Sequence, residues 1–188
     1  TVTEYVNVGA TTSFDTVYFG YEGSSGAFFS SIYPNGSVSS VGYNGSGQLG
    51  TASYTSPTKH TLFRLPSGHK ATSVYTSFLS NGSRVYVATD QGDLYGAGLN
   101  NYGQLGDGTL YTSRTTPVRY GLPVGVSARN VSLLAYSTFV VASNGSIYSS
   151  GDCSDGVLGT GCTSGSRPNP TRVSMPTVNF SNSNTIPG

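Results

Sequence analysis

Two pairs of aspartates are the side chains best able to carry chemistry in this chain. Asp90 and Asp93 stand three residues apart, and so do Asp152 and Asp155. Such pairs could act as general acid and base on a glycan or bind a calcium ion. Both lie beside turn sequences, where aspartate commonly hydrogen-bonds the local backbone. We therefore predict structural roles, no catalytic residues and no metal ligands, and keep a glycan-processing enzyme as the third hypothesis.

The two histidines, His60 and His69, have no evident partner in the sequence and are predicted to lie at the surface. They stand far from Cys153 and Cys162, so the four ligands of a structural zinc site are not indicated. The chain also lacks a nucleophile elbow, a phosphate-binding loop and a metalloprotease motif. No cofactor is predicted.

The only cysteines, Cys153 and Cys162, enclose a glycine-rich stretch. Closing so short a loop contributes about 2 to 3 kcal/mol in the chain-entropy model. We predict a disulfide between them, with two reduced thiols as the alternative.

Six Asn-x-Ser sequons are candidate glycosylation sites if the protein is secreted in a eukaryote. Four of them read Asn-Gly-Ser, which is also a strong signal for a tight hairpin turn. Turn formation is therefore the alternative interpretation of those four. The six sites are Asn35, Asn44, Asn81, Asn130, Asn144 and Asn179.

The composition excludes several classes of protein. Charged residues make up 9% of the 188 residues and the formal net charge is +1, so a nucleic-acid partner is not expected. No apolar run is long enough to span a bilayer. With 36% hydrophobic residues the chain should fold. Its few charges and many hydroxyls favour an extracellular or cell-surface protein. Because it begins with Thr1 rather than Met, we interpret it as a processed or excerpted polypeptide.

One pattern occurs three times along the chain. A turn glycine, at Gly36, Gly92 and Gly145, is followed by a glycine six residues later and by a Gly-x-Leu-Gly box that begins eleven residues later. The turn glycines are separated by 56 and 53 residues. The repeats therefore cover about residues 27–66, 73–123 and 131–176.

Each repeat contains short β-rich runs separated by turn signals, and no sustained helical period interrupts them. Hairpins are predicted at 27–33 with 37–41, at 84–89 with 93–97 and at 137–143 with 146–150. Further strands are predicted at 73–79 and 131–135. The fold should be all-β.

The boxes Gly47-Gln48-Leu49-Gly50 and Gly103-Gln104-Leu105-Gly106, each preceded by Gly-x-Asn and followed by a proline and a Leu-Pro close, resemble the repeat of the regulator-of-chromosome-condensation family. That family builds β-propellers from sheets called blades. The resemblance implies one domain over residues 1–188, an incomplete propeller of about three blades plus flanking strands. It also implies that Leu49, Leu105 and Leu158 fill the gaps between blades.

The chain departs from the family pattern in its lack of tryptophan and in Val157, which replaces the glutamine of the third box. Nothing matches the features behind the founding member's nucleotide-exchange activity. The resemblance therefore implies the fold and a tendency to bind proteins, and no exchange activity.

The N-terminal residues 1–8 read as a strand because Val2, Val6 and Val8 alternate with polar side chains. This strand could be added to the sheet of a neighbouring copy, and a contact of that kind that does not close produces a filament. The alternative is that it pairs within its own chain, as the outer strand of the first blade.

Three tyrosines flank the boxes, where loops should face solvent: Tyr54, Tyr102 and Tyr111. Such side chains could stack on sugars or anchor a protein partner. Most other tyrosines are predicted to be ordinary strand residues.

The main functional prediction is a secreted, non-enzymatic structural or adhesive glycoprotein subunit. It would assemble with copies of itself through open propeller edges, possibly into a filament, with glycans as further partners. The alternative is a protein-binding propeller fragment of a longer chain, either an inhibitor or a relative of exchange factors.

Overall fold

The structure, a computed structural model, describes residues 16–22, 26–77 and 83–175. Twelve strands form three four-stranded antiparallel sheets, each in sequential order. Blade 1 consists of β1 (Thr16–Glu22), β2 (Gly26–Ile32), β3 (Val38–Gly42) and β4 (Thr61–Leu62). Blade 2 consists of β5 (Ala71–Thr76), β6 (Arg84–Thr89), β7 (Leu94–Gly98) and β8 (Arg114–Arg119). Blade 3 consists of β9 (Ala128–Leu133), β10 (Ser137–Ala142), β11 (Ile147–Asp152) and β12 (Ser166–Arg172).

The predicted all-β class and the incomplete propeller of about three blades are confirmed. The strand predicted at residues 84–89 has those bounds, and the other predicted hairpin strands overlap β2, β3, β7, β10 and β11. The assignment of residues 1–188 to one domain stays a prediction. The strand predicted at residues 1–8, with Val2, Val6 and Val8, lies outside the described residues, and Thr16–Glu22 supplies the first strand of blade 1.

The fourth strands, β4, β8 and β12, were not predicted. Pro117 interrupts β8, and Pro168 and Pro170 interrupt β12. Proline is tolerated on an edge strand because one side of such a strand has no ladder to complete. These strands form the outer edge of each blade, whereas first strands approach one another: β5 contacts β1, and β9 contacts β5.

Two hydrophobic clusters fill the gaps between the blades. Because side chains alternate between the faces of a strand, each middle strand contributes to both of its neighbouring gaps. The gap between blades 1 and 2 is filled by Phe28, Ile32, Val38, Leu49, Phe63, Ala71, Val74, Val85, Val87 and Ala97. The gap between blades 2 and 3 is filled by Tyr86, Ala88, Leu94, Leu105, Tyr120, Leu122, Val131, Val140, Ala142 and Tyr148. Leu49 and Leu105 thus lie where the repeat predicts them.

Blade 3 carries a smaller cluster on its far side, formed by Cys153, Leu158 and Cys162 with Phe139 packed against it. A single-turn 3-10 helix, Ser154–Gly156, opens the loop that joins β11 to β12. No helix in the described ranges is long and apolar enough to cross a membrane.

Candidate functional site

Each box loop follows the third strand of its blade and is held by a buried asparagine. Asn44 accepts the Leu49 N–H at 2.9 Å and donates from Nδ2 to the carbonyl oxygens of Ser53 and Thr55, at 2.7 and 3.0 Å. Asn100 accepts the Leu105 N–H at 2.9 Å and donates to Thr109 O at 3.2 Å. Both asparagines are fully buried. The side chain therefore bridges the two ends of its loop.

The first glycine of each of the first two boxes leaves room for the backbone of the outer strand of the next blade. We call this position the glycine seat. A Cβ on Gly47 would lie 2.9 Å from the Cα of Thr115, and one on Gly103 would lie 2.5 Å from the Cα of Pro168. Real Cβ atoms do not approach this closely, and both glycines also have positive φ, 79° and 77°. Thr115 belongs to blade 2 and Pro168 to blade 3. The box glycine thus allows adjacent blades to touch.

Two backbone hydrogen bonds accompany each glycine seat. The Ala52 N–H donates to Thr115 O at 2.8 Å, and the Gly108 N–H donates to Pro168 O at 3.1 Å. At the opposite end of the blades, the carbonyl of the turn glycine accepts from the first strand of the next blade. The Ala71 N–H donates to Gly36 O at 2.8 Å. The Ala128 N–H donates in the same way to Gly92 O, at 3.2 Å.

The equivalent positions of blade 3 have no neighbouring blade among the described residues. Among the described residues, a Cβ on Gly145 or Gly161 would meet no atom within 4 Å. A Cβ on Gly156 would approach only Cys162 O of its own loop, at 3.7 Å, in the same part of the chain. The three glycines nevertheless keep positive φ values of 77°, 82° and 72°. Blade 3 therefore has the backbone conformation of a seat without a blade on it.

The free face of blade 3 is formed by Phe139, Val141 and Ile147. Their register positions correspond to Tyr86, Ala88 and Leu94 of blade 2, which lie buried under blade 3. Val141 is 39% exposed and Val157, in the box loop, is 44% exposed. The free face is thus apolar and partly exposed.

The free face of blade 1 is formed by Val17, Phe19, Phe29 and Val41, brought together because β1 and β3 both pair with β2. Phe19 is 59% exposed, and its ring centroid lies 5.9 Å from that of Phe29. The corresponding faces of blades 2 and 3 are covered by the preceding blade. The two ends of the described stack therefore present the two halves of the contact that joins the blades internally.

His60 lies beside the free face of blade 1. Its sequence context predicts a surface residue without partners, but the structure gives it partners. Its Nδ1 lies 2.8 Å from Ser39 Oγ, and its ring contacts that of Phe29 edge-on at 4.9 Å. Burial lowers the pKa of His60. A Ser–His pair could be a nucleophile and its base, but Ser39 is fully buried and also donates to Tyr33 OH at 3.2 Å. We assign the pair a structural role.

His69 is likewise partnered rather than isolated, and it meets one of the predicted aspartate pairs. Its ring centroid lies 5.1 Å from that of Tyr95, and its Nδ1 lies 4.0 Å from Asp93 Oδ2. Asp93 also forms an ion pair with Arg119 at 2.7 Å.

The first aspartate of each predicted pair accepts a hydrogen bond from a neighbouring residue, local in sequence for Asp152 and 20 residues away for Asp90. Asp90 accepts the Lys70 N–H at 3.0 Å, and Asp152 accepts the Ser154 hydroxyl at 2.9 Å. Asp155 has a positive φ of 57° in the short helix. Across the described ranges, no three histidine, cysteine or acidic side chains are grouped as metal ligands would be.

The predicted glycosylation sites have different environments. The prediction of a glycan on Asn44 conflicts with the structure. Its side chain is fully buried, and Nδ2 donates to two backbone carbonyls, so this nitrogen cannot carry a sugar in this fold. Asn35 and Asn144 are exposed in hairpin turns, where each Oδ1 accepts the N–H two residues later, at 2.9 and 3.0 Å. Asn130 is exposed on β9, and its modification stays a prediction. Asn81 and Asn179 lie outside the described residues.

The predicted binding tyrosines do not form one cluster. Tyr54 and Tyr111 are 56% and 78% exposed, and they follow the boxes of different blades. Tyr102 is half-buried, and its ring lies 4.8 Å from that of Tyr136. Their role in binding stays a prediction. The predicted disulfide, Cys153 with Cys162, is present.

Arg84 is a contact residue that sequence reasoning missed. It is fully buried, and its guanidinium donates to the carbonyl oxygens of Leu134, Ala135 and Ser137 in blade 3, at 2.5, 2.8 and 3.1 Å. Burial lowers its pKa. A charged residue at the start of an otherwise apolar strand was the signal available in the sequence.

A cleft of about 310 Å³ lies between blades 1 and 2 at the hairpin-turn end. Tyr33, Lys70 and Asp90 are among its lining residues. The Asp90 carboxylate accepts the Lys70 N–H at 3.0 Å, a hydrogen bond made within blade 2.

Comparison with known proteins identifies the repeat. The family model of the regulator of chromosome condensation (RCC1) repeat matches residues 91–141. Prp20p from Saccharomyces cerevisiae is similar in structure, with a TM-score of 0.64 and 21% identity over 79% of this chain and 36% of that one. Human WBSCR16 gives a TM-score of 0.69 and 20% identity over 88% of this chain and 38% of that one.

A second structure of the yeast protein, in which Kap60 is bound to yeast RCC1 (Prp20), gives a TM-score of 0.63 and 19% identity. It matches 78% of this chain and 35% of that one, so the chain spans little more than a third of the proteins it matches. At these identities the structural likeness shows the fold. The repeat match over residues 91–141 and the three equivalent box loops agree with this fold, so the chain resembles the RCC1-type propeller repeat family.

Proposed function

We propose that this chain is a non-enzymatic protein-binding segment of an RCC1-type propeller, and that it docks further blades of the same type on its two free faces. One observation carries the proposal: the backbone seats that receive a neighbour in blades 1 and 2 recur in blade 3 with no described neighbour on them. Repeat units bury their hydrophobic faces only against adjacent units. A further blade would cover the exposed Val141 in the way blade 3 covers Ala88.

The similar proteins support protein binding as the class of function. The structure of Prp20p is described with its binding to Gsp1p and histones, and yeast RCC1 is described bound to Kap60. Histones are strongly basic, and eight acidic residues against nine basic ones offer no dense negative surface for them.

Copies of this chain are the second candidate partner. The chain carries both halves of the internal blade contact, so blade 1 of one copy could dock on blade 3 of another. Such a head-to-tail contact forms a filament where it does not close into a ring. An extracellular or cell-surface location is supported by the low charge content, by a disulfide and by exposed sequons at Asn35, Asn130 and Asn144. The structural or adhesive role depends on this second candidate.

Sedimentation velocity tests docking with the chain as its own probe. Over about 1 µM to 0.5 mM, a range that covers moderate and weak affinities, we expect concentration-dependent association. Val141→Asp and Phe19→Asp should each weaken it at least about tenfold, because each buries a charge at one half of the contact. Val124→Asp is the matched control, since Val124 is fully exposed outside both free faces.

The pattern of the variants decides between outcomes. Association lost in both face variants and kept in the control supports head-to-tail docking. Association lost only in Val141→Asp would assign docking to blade 3 alone. A protein that stays monomeric throughout, or an association that Val124→Asp weakens equally, would contradict docking on the free faces.

A further inference from the structure

In blades 1 and 2 the buried asparagine that bridges the two ends of the box loop acts as a clamp on that loop. The disulfide of blade 3 occupies the same position. Asn44, Asn100 and Cys153 each stand five residues before the box leucine, and all three are fully buried. Their partners stand nine residues later. These are Ser53 and Thr109, through hydrogen bonds, and Cys162, through the covalent bond. The third repeat thus makes the same closure of its box loop with different chemistry.

The clamp is adjacent to the backbone amide that docks the next blade. The residue before each clamp partner is Ala52, Gly108 or Gly161, and all three have positive φ, at 62°, 83° and 82°. The first two donate their N–H to the outer strand of the following blade. Because the clamp fixes the next residue along the chain, it also keeps this N–H pointing toward the outer strand of the following blade. Gly161 is the corresponding amide on the free side of blade 3.

The two kinds of clamp respond differently to reductants. An amide hydrogen bond is unaffected by thiols, whereas a disulfide is opened by them. The asparagine also accepts the N–H of the box leucine, at 2.9 Å in both blades, and a cysteine thiol is a poor substitute for that acceptor. Once reduced, the loop of blade 3 would therefore lack the connection that holds the other two loops closed.

We propose that Cys153–Cys162 is a redox-controlled clamp that sets the docking competence of blade 3. This inference rests on the proposed function, that a further blade docks on this face. Reduction by a soluble dithiol passes two electrons and two protons to the disulfide. It leaves thiols on Cys153 and Cys162 and oxidises the dithiol to its own disulfide. The loop that presents the Gly161 N–H then opens, and docking weakens.

Hydrogen–deuterium exchange tests the clamp in the full chain, with and without dithiothreitol. We expect the dithiol to speed exchange at residues 153–165 by at least about tenfold, because local opening sets the exchange rate of loop amides. The loops at 44–53 and 100–109 are internal controls and should change less than about twofold.

Two variants separate the clamp from general destabilisation. Cys153→Asn with Cys162→Thr copies Asn100 and Thr109, so exchange should stay slow and be insensitive to the dithiol. Cys153→Ser with Cys162→Ser should match the reduced protein without any reductant. Two results would contradict the proposed clamp: an exchange rate at 153–165 that does not change with the dithiol, or a rate that rises equally in all three loops.

Sedimentation of the same samples distinguishes failure of this inference from failure of the proposed function. Loss of association on reduction, in the wild type but not in the asparagine–threonine variant, supports the inference. If the oxidised chain associates through Val141 and reduction does not weaken that association, the redox role is wrong and docking stands. If the oxidised chain does not associate through Val141, docking itself fails, and redox control of it fails with it.

Discussion

The two internal blade contacts share a backbone plan but differ in side-chain chemistry. Between blades 1 and 2 the filling is mainly aliphatic, with one buried hydroxyl pair, Ser30 and Ser40 at 2.9 Å. Between blades 2 and 3 it is aromatic and polar. Tyr86 OH donates to Gln104 O at 2.6 Å and lies 3.1 Å from Thr138 Oγ1. Both contacts nevertheless use the same glycine seat, loop amide and turn carbonyl.

The two contacts therefore share their backbone hydrogen bonds and glycine positions, whereas their core side chains differ. A glycine that admits a neighbouring strand has no substitute, because any Cβ would collide with that strand. A gap between two sheets can be filled by several combinations of side chains of suitable volume. Neighbouring blades can therefore differ in charge, in pH response and in the type of clamp on a constant frame.

The largest expected effect is at Arg84, which is particular to the contact between blades 2 and 3. Arg84→Ala would leave three carbonyl oxygens of blade 3 without this donor and should lower the free energy of unfolding by about 3 to 5 kcal/mol. Chemical denaturation measures it. Arg119→Ala, which breaks a half-exposed ion pair with Asp93, is the control and should cost less than about 1 kcal/mol. Similar losses in the two variants would contradict a special role for the buried guanidinium.

The next largest effect is expected at the glycine seats. Gly103 lies against the outer strand of blade 3, whereas Gly156 has no neighbouring blade among the described residues. Gly103→Ala and Gly156→Ala both place a side chain at positive φ, which costs about 1 to 2 kcal/mol. Gly103→Ala must also displace the backbone at Pro168, which should add about 1 to 3 kcal/mol. The measurement is the difference between the two melting curves. Equal destabilisation would show that the seat does not depend on its neighbour.

Asp107 should make the box loop of blade 2 sensitive to acid. Burial by itself raises the pKa of Asp107, but hydrogen bonds from Thr109 and Arg114 outweigh it and hold the pKa below its ordinary value of 3.8. A carboxyl with a lowered folded pKa contributes stability that is complete above its unfolded pKa and is lost as pH falls through the folded pKa.

Asp107→Asn should therefore cost about 1 to 2 kcal/mol at pH 7 and progressively less below about pH 4. Denaturation of both proteins from neutral pH to about pH 2.5 checks this expectation. The equivalent residue of blade 1 is the uncharged Thr51, so Thr51→Ala is the control for the pH dependence. A cost for Asp107→Asn that does not vary with pH would contradict the role of the ionised carboxylate.

The smallest expected effect is that of Tyr86→Phe, which removes one hydroxyl from the polar contact. Burial raises the pKa of Tyr86 to about 12, so this hydroxyl is a donor at neutral pH. Its loss should cost about 1 kcal/mol in the free energy of unfolding. Tyr54→Phe, at an exposed position, should change nothing measurable. If Tyr86→Phe left the free energy of unfolding unchanged, the hydrogen bonds of this hydroxyl would not stabilise the contact between blades 2 and 3.

Much of each blade could be predicted from local signals. Glycines at positive φ, Asn-Gly turns and β-rich runs specify hairpins between near neighbours in sequence, so 84–89 and the strands around it were located correctly. The outer strands were missed because Pro117, Pro168 and Pro170 read locally as breakers. Only the sheet shows that those strands lie at an edge, where a missing donor costs little.

The site was less accessible to sequence reasoning. The sequon at Asn44 has the same letters as those at Asn35 and Asn144, yet its amide is buried as a clamp. His60 seemed to have no partner because Ser39 lies 21 residues away. The buried place of Arg84 was hidden for the same reason, since the carbonyls that hold it lie at least 50 residues away.

The amino-acid sequence alone determined the all-β class, the three repeats, the turn and box glycines and the cysteine pair, because each depends on residues within one hairpin or loop. The tertiary structure alone decided which faces are covered and which are free, and which glycines must admit a neighbour. It also decided which polar side chains bridge the blades. The physical reason is range: backbone preference acts within a few residues, whereas burial depends on atoms that meet only after the sheets have stacked.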